Sequence, residues 1–396
     1  MRYRLAARLV VAIAIVVSLG CGAGRTTGTA RTDTVSDGLQ AVISSVVADE
    51  AAIHGAALAV SAPKLGIEWA GAAGLADPAN GTPMTPSDPV RIASNTKTFV
   101  AVAILRLVED GRLDLDAPLA DLLPAEAVDL LAGDGYDLRA ITLRHLLTHT
   151  SGIHDHTAGD AYTDAILANP QHRWTALEQV AMAVETGEPR FAPGDVYSYC
   201  DTGYVLLGLI LEHTTGHDLA TAVRELVDFD ALGLDSTWWE TLEPEPADVA
   251  GRAHQFYGEV DSHDFDPSFD LYGGGGLVTT VGDLATFFGD VFRNRVFRQP
   301  TTVDTMLTTI DGVRAHPDAS DRALPPGAYR MGVWVREIGG RTVFLHTGFF
   351  GTMAAYVPDL DLAVAATVNQ NHARVFDRIL EATIRIIDRG AGPATS

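Results

Sequence analysis

Apolar residues follow two kinds of pattern along this chain of 396 residues. Near both ends they alternate with small or polar residues, and in the middle they recur at helical spacing. Residues 56–74 alternate around a central turn, which predicts a β-hairpin. Four short apolar runs near the C-terminus predict further strands, and a final helical pattern follows them. These runs are 331–338, 341–346, 353–357 and 362–368, and the helix is 375–387.

Between these strands, residues 116–324 contain helical patterns and loops rich in Pro and Gly. We therefore predict an α+β fold, with an antiparallel sheet built from N- and C-terminal strands and flanked by helices. The sheet part comprises about 37–115 and 325–388, and a mostly helical part is inserted between its two pieces. Together they form a single domain, 37–388, which is long enough to bury a sizeable core.

One predicted helix, residues 94–111, is apolar on almost every face, as is typical of a buried core helix. Ser94 is a suitable N-cap for it, and Gly111 stands where a C-terminal cap is expected. Lys97 does not fit this pattern, because the helix dipole disfavours a cation in the first turn. Glu or Gln is the usual residue three positions after a serine cap. The lysine therefore needs another explanation.

The first residues of the chain predict that the protein is exported from the cytoplasm. A basic start and a short apolar run over residues 1–20 are typical of a signal peptide. The run ends at Cys21, as in a bacterial lipoprotein signal, so we expect a lipid on Cys21, a flexible tether over 21–36 and an extracytoplasmic location at the cell membrane. The alternative is an ordinary cleaved signal with an incidental cysteine, which would give a secreted protein. With two cysteines in the sequence, no disulfide framework is expected.

Composition and the remaining motifs argue against several classes of function. A formal net charge of −23 argues against nucleic acid as a partner. Histidines cluster between His145 and His156, but without metal-ligand spacing, so neither a metal nor a cofactor is predicted. The glycine run 273–276 lacks a following Lys-Ser/Thr, which favours close backbone packing over phosphate binding.

Ser94 and Lys97 are three residues apart, so on a helix both side chains lie on one face. A serine hydroxyl becomes a nucleophile when a neighbouring base or cation activates it. Ser-x-x-Lys is frequent by chance, so the pair alone is weak evidence. Two later stretches strengthen it: Tyr199 and Asp201 directly precede an apolar helix, and residues 346–348 end a predicted strand.

In order and separation, these three motifs resemble those of the penicillin-recognising serine hydrolases. That family comprises class C β-lactamases, D-alanyl-D-alanine carboxypeptidases and related esterases, with the pattern Ser-x-x-Lys, Tyr-x-Asn and Lys/His-Thr-Gly. Three flanking stretches are similar as well: 111–124, 141–153 and 273–287. The resemblance extends over about residues 37–388.

The resemblance implies a role for each motif residue. Ser94 would be acylated, Lys97 would hold the hydrogen-bond network, and Tyr199 would carry the proton, since a phenol becomes a base when cations lower its pKa. The backbone N–H groups of Ser94 and Phe349 would form the oxyanion hole. The other implied substrate-binding residues are His346, Thr347, Gly348, which would leave room for a substrate along the strand, and Asp201.

Two positions depart from the family pattern. Asp201 replaces the usual Asn and cannot donate an amide hydrogen bond, which weakens the case for β-lactamase activity. It would instead add a negative charge beside Lys97. His346 replaces Lys and is similar to the soluble carboxypeptidases. We expect its charge to disappear above about pH 6.5, so that binding of a substrate carboxylate weakens at alkaline pH.

The leading expectation is an acyl-enzyme on Ser94 and carboxypeptidase-like action on D-amino-acid peptides of the cell wall. A carboxylesterase or small-amide hydrolase and a β-lactamase are alternatives, and so is an envelope-binding protein that has lost turnover. The partner in each active case is a substrate with a carbonyl to be acylated. Three arginines are candidates for holding a substrate carboxylate: Arg330, Arg336 and Arg341.

Overall fold

A computed structural model of the protein describes residues 26–315, 328–371 and 373–391. Its helices are α1 (Thr26–Asp49), α2 (Thr96–Glu109), α3 (Ala125–Gly133), α4 (Leu143–Leu147), α5 (Ala161–Ala168), α6 (Ala176–Thr186), α7 (Asp201–Thr215), α8 (Leu219–Val227), α9 (Phe229–Leu232), α10 (Val281–Phe292), α11 (Thr302–Met306) and α12 (Ala373–Ala391). Its strands are β1 (Gly55–Ala62), β2 (Ile67–Asp77), β3 (Thr82–Pro83), β4 (Val90–Arg91), β5 (Val196–Tyr197), β6 (Trp238–Trp239), β7 (Phe256–Tyr257), β8 (Val260–Asp261), β9 (Leu277–Thr279), β10 (Arg314–Ala315), β11 (Trp334–Ile338), β12 (Arg341–Gly348), β13 (Thr352–Val357) and β14 (Leu362–Val368).

Seven strands form one antiparallel sheet in the order β11-β12-β13-β14-β1-β2-β3. The two ends of the chain meet inside it, where Ala56 of β1 pairs with Val368 of β14. The predicted N-terminal hairpin is β1 and β2, and the four predicted C-terminal strands are β11 to β14. The α+β class with an antiparallel sheet is therefore confirmed.

The central strands are buried on both faces, which is why β1 and β14 read as runs of small apolar residues. Successive side chains of a strand point to opposite faces. Ala57 and Ala59 accordingly belong to one core, while Leu58 and Val60 belong to the other. Helices α1 and α12 lie on one side, and α10 packs against β1, β13 and β14 on the other. Helix α10 thus lies on the sheet although it falls within the predicted helical part.

Helix α1 corrects the prediction of a flexible tether over 21–36, because it already begins at Thr26. The small polar residues at its start show no helical periodicity, but the apolar stripe that follows anchors the helix to the sheet. The stripe consists of Val35, Leu39, Ile43 and Val46, all buried. The predicted signal, residues 1–20, and Cys21 lie outside the described residues. In the ranges that the structure covers, no helix is both long and apolar enough to cross a bilayer.

Helix α2 is buried as predicted, with residues 99–105 almost free of solvent exposure. Gly111 follows its end with φ of +68°, a left-handed conformation that suits glycine. The predicted N-cap is wrong. Ser94 lies one residue earlier, in a 3-10 turn formed by Ala93–Asn95, and Asn95 occupies the cap position. The hydroxyl of Ser94 is therefore available for a different contact.

Candidate active site

The contact that Ser94 makes is with Lys97. The Lys97 side chain is completely buried, and its Nζ donates a hydrogen bond to Ser94 Oγ over 3.0 Å. The residue before the serine, Ala93, has φ of +44°, which costs a non-glycine residue about 1–3 kcal/mol. The turn that presents Ser94 is thus conformationally strained, as is frequent at functional sites.

Lys97 Nζ has two further acceptors, a carboxylate oxygen of Asp201 and the carbonyl of Gly274. An ammonium group has three N–H donors, and these three acceptors account for all of them. The contacts therefore describe a charged lysine that orients Ser94 as a donor. In that state Lys97 has no free lone pair with which to accept the serine proton.

The Gly274 carbonyl reaches Lys97 because its loop is packed too closely for side chains. A Cβ atom on Gly273 would lie 2.4 Å from the Tyr204 carbonyl oxygen, and one on Gly275 would lie 2.4 Å from Asp270 Oδ1. The glycine run over 273–276 thus serves close backbone packing, as the sequence predicted.

Tyr199 lies beside this centre, with its ring centroid 5.2 Å from Lys97 Nζ. Its position is fixed by His149, which has φ of +55° and a buried ring. The His149 carbonyl accepts from the backbone N–H of Ser198, and its Nδ1 accepts from that of Cys200. Burial lowers the pKa of His149 well below its usual value, so the ring stays neutral and able to accept. The sequence marked this stretch as similar to the family but did not reveal the contact.

His346 differs from its prediction. Its side chain is buried, and Nδ1 lies 2.8 Å from the carbonyl of Thr347 while Nε2 lies 3.1 Å from the hydroxyl of Tyr329. Nδ1–H therefore donates to the carbonyl, and Nε2 accepts from the phenol. Burial first, and then the charge of Lys97, lower the pKa of His346 to about 3. The expected loss of charge above pH 6.5 is wrong, because the ring is already neutral at lower pH.

Gly348 is required for packing within the protein itself. A Cβ atom there would lie 2.1 Å from the carbonyl oxygen of Ile92 and 2.3 Å from Thr352 Oγ1. The missing side chain thus makes room for the protein's own backbone and brings β12 against the segment before Ser94. The pairing of β12 with β11 reaches Leu345, so the predicted residues 346–348 extend beyond the start of β11.

Two cavities open beside Ser94. The first, which we call the strand-side cavity, has a volume of about 290 Å³ and includes Tyr199, Trp334, His346, Thr347 and Asp201 in its walls. The second, the aromatic cavity, has a volume of about 260 Å³. Its walls include Tyr162, Phe265, Phe269, Phe350, Asp201 and Asp270.

Phe349 borders both cavities, and its side chain is 47% exposed. Three more large apolar side chains are exposed around the aromatic cavity, on α5 and on the β7-β8 hairpin. Across the described ranges, these four are the large hydrophobic residues that remain exposed: Leu167, Tyr257, Val260 and Phe349. The mouth of the aromatic cavity is therefore unusually apolar for a protein surface.

Sequence reasoning did not assign two carboxylates near this centre. Asp155 is buried, and its side chain accepts from the backbone N–H groups of Asp201 and Thr157. Asp270 ends a 3-10 turn that two residues separate from the glycine run, and it borders the aromatic cavity. Burial raises the pKa of each to about 7. An acidic residue three positions before the first glycine of the run was the signal in the sequence for Asp270.

The fold and the arrangement around Ser94 define a serine hydrolase related to the β-lactamases. The chain matches the Beta-lactamase family model over residues 39–388 and belongs to that family. It is 38% identical over 178 residues to Esterase EstB of Burkholderia gladioli, covering 44% of each chain. It is 34% identical over 163 residues to Penicillin-binding protein 4 of Amycolatopsis lactamdurans, covering 41% of this chain and 39% of that one.

The aligned segments thus span less than half the length of these curated relatives. Similarity to solved structures extends further. A D-stereospecific amidohydrolase from Streptomyces sp. is 26% identical, with a TM-score of 0.71, over 88% of this chain and 98% of that one. The resemblance inferred from the three motifs is confirmed at the level of family and fold.

Proposed function

We propose that the protein hydrolyses carboxylic esters, and small amides, whose acyl group is apolar. One observation carries this proposal: an apolar cavity with aromatic walls opens directly beside Ser94. An acyl chain placed there would leave water as its carbonyl reaches the serine. The names of two similar proteins, an esterase and an amidohydrolase, support the same class of reaction.

The reaction would proceed through an acyl-enzyme. Ser94 Oγ attacks the carbonyl carbon while Tyr199, acting as a phenolate, accepts the serine proton, and Tyr199 then returns that proton to the departing alcohol or amine. Lys97 supports the proton transfer by its charge, and the backbone N–H groups of Ser94 and Phe349 stabilise the oxyanion. In the second half, water attacks the acyl-enzyme, its proton follows the same path through Tyr199 to Ser94, and the carboxylic acid leaves.

The charges in the two cavities favour an uncharged or cationic substrate over a carboxylate. Among the residues that the structure describes, no Lys or Arg side chain lines either cavity. The three candidate arginines are engaged elsewhere. Arg336 pairs with Asp377, Arg341 pairs with Asp388, and Arg330 donates to the Tyr329 carbonyl.

A carboxypeptidase acting on D-amino-acid peptides is the second candidate, because of the geometry of β12. Residues 346–348 pair with β13 on one side but extend beyond β11 on the other. This free edge could accept an extended peptide as an added strand. The name of the similar penicillin-binding protein supports this candidate.

Rates on three substrates decide between these functions: a nitrophenyl ester of 3-phenylpropionic acid, a peptide ending in D-Ala-D-Ala and a chromogenic cephalosporin. We expect the ester to have the highest kcat/KM, by at least about 100-fold, and Ser94→Ala to abolish its turnover. Hydrolysis of the peptide with no turnover of the ester would reject the ester proposal in favour of the carboxypeptidase.

We also propose that the protein acts outside the cytoplasm and is anchored by a lipid on Cys21. The basic and apolar pattern of residues 1–20 and the position of Cys21 support this location. On expression of the full chain in a bacterial host, Cys21→Ser should move the protein from the membrane fraction to the soluble fraction. An unchanged distribution would contradict the anchor.

A further inference from the structure

Asp270 is the one carboxylate of the aromatic cavity that the proposed chemistry does not use. It ends the 3-10 turn Pro267–Asp270, and its carboxylate lies against Gly275. The turn is held by a hydrogen bond from the Tyr162 hydroxyl to the Phe269 carbonyl, over 2.7 Å. Asp270 and Ser94 border the same cavity of about 260 Å³, so one small acyl group can reach both.

This carboxylate has no partner of its own. No donor within residues 26–315, 328–371 and 373–391 makes a hydrogen bond or an ion pair with it. A partly buried carboxylate in that situation loses solvation without compensation, which costs free energy. Burial accordingly raises the pKa of Asp270 to about 7. A ligand that places a hydrogen-bond donor beside this carboxylate would stabilise its ionised form.

The cations that act electrostatically on Asp270 already have carboxylate partners. The charged groups that act on it are Lys97, Asp201, Arg91 and Glu240. Lys97 pairs with Asp201. Arg91 and Arg252 both pair with Glu240, over 2.6 and 3.3 Å. None of these cations forms an ion pair with Asp270, whose carboxylate borders the aromatic cavity. A cation in the cavity is the ligand that an unpaired carboxylate there would attract.

We infer that Asp270 binds a protonated amino group on the acyl part of the substrate, so that the preferred substrates are esters or amides of apolar amino acids with a free amino group. This inference rests on the proposed function. The apolar side chain lies against Phe265, Phe269 and Phe350, while the ammonium group pairs with Asp270 and the carbonyl faces Ser94. A charge-assisted hydrogen bond of this kind is about twice as strong as a neutral one.

The direct test is binding to the unreactive Ser94→Ala protein, measured by calorimetry at pH 7.5. The ligands are phenylalanine methyl ester, in both enantiomers, and methyl 3-phenylpropionate, which lacks the amino group. We expect the better-bound enantiomer to bind about 10- to 100-fold more tightly than the ester without the amine. Combining Asp270→Asn with Ser94→Ala should remove this preference for the ester that carries the amino group. The matched control is Asp264→Asn, an exposed aspartate of the same segment outside both cavities, which should retain it.

Kinetics with the active enzyme separate this inference from the proposed function. If the ester without the amine is hydrolysed through Ser94 but the amino group brings no preference, or Asp270→Asn keeps the preference, the inference is overturned and the ester hydrolase stands. If neither ester is hydrolysed but Asp270-dependent binding of the amine persists, the proposed function fails and the amine site stands.

The pH dependence of the preference for the amino ester gives a second test of the inference. Asp270 must be ionised, which requires a pH near or above 7, and the α-amino group must be protonated, which requires a pH below about 8. The preference for the amino ester should therefore be largest between these values and decline on both sides. A preference that stays constant from pH 5 to pH 9 would overturn the inference.

Discussion

The two cavities beside Ser94 share the nucleophile but differ in what their walls offer. The strand-side cavity contains the neutral ring of His346, held between the Thr347 carbonyl and the Tyr329 hydroxyl, and it shares Asp201 with the other cavity. The aromatic cavity combines apolar rings with the unpaired carboxylate of Asp270. In the proposed function, the strand-side cavity holds the reacting bond and the aromatic cavity binds the acyl group.

The largest expected effect concerns the proton path on the strand side. Tyr199→Phe removes the hydroxyl but keeps the ring beside Lys97 and Trp334, so the protein should fold. We expect kcat for the phenylpropionyl ester to fall about 10²- to 10⁴-fold, as is usual for loss of a general acid–base. The check is steady-state kinetics together with the melting temperature. A loss below about threefold with unchanged stability would assign the proton transfer to another group.

The next largest effect is expected in the wall of the aromatic cavity. It tests whether this cavity, and not the strand-side cavity, selects the acyl group. Phe269→Ala should lower kcat/KM for the phenylpropionyl ester about 10- to 100-fold, because it removes part of the surface that the acyl chain contacts. The acetyl ester should be affected much less. The matched variant is Trp334→Ala in the strand-side cavity, which should leave the ratio between the two esters near its wild-type value. Equal changes of this ratio in both variants would contradict the assignment of acyl selection to the aromatic cavity.

A smaller effect concerns stability and the charge of Asp270. Its pKa is raised by folding from about 3.9 to about 7, so the native state disfavours the ionised form. Stability is therefore lost as pH rises from about 4 to 7, and the loss is complete above 7. Asp270→Asn removes this loss. We expect the variant to melt a few degrees above wild type at pH 8 and to lose that advantage at pH 4. A difference independent of pH would contradict the raised pKa.

The smallest effect is expected at His346. Because its pKa is lowered to about 3, the ring does not change charge between pH 5.5 and 8. His346→Asn should therefore preserve the shape of the pH–rate profile, even if the rate itself falls. An inflection near pH 7 should remain in this variant, since Asp155 and Asp270 titrate there. Its selective disappearance in His346→Asn would show that the histidine titrates after all.

Local spacing made part of this site predictable. Ser94 and Lys97 meet because they are one helical turn apart, and the burial of α2 followed from its apolar residues. The strands were predictable from alternation, and their common sheet from the position of strand patterns at both ends of the chain around a helical middle. Helix α1 was only partly foreseeable, since the polar residues at its start owe their conformation to the anchored turns that follow.

Properties that depend on packing between distant segments were not predictable. The neutral state of His346 results from burial beneath Tyr329, and no pattern around either residue indicates that contact. The position of His149 depends on a backbone conformation with positive φ. Asp270 is unpaired because the neighbouring cations Lys97 and Arg91 pair with other carboxylates. Those pairs form between segments that are distant in the sequence.

In the proposed reaction, Ser94 is acylated by an apolar ester bound in the aromatic cavity, and this acyl-enzyme can be trapped. The protein is mixed with nitrophenyl 3-phenylpropionate, quenched in acid within milliseconds and digested for mass spectrometry. We expect a phenylpropionyl adduct on the peptide that contains Ser94, absent from Ser94→Ala and reduced in Phe269→Ala. Turnover of the ester with the adduct on another residue, or with no dependence on Ser94, would contradict it.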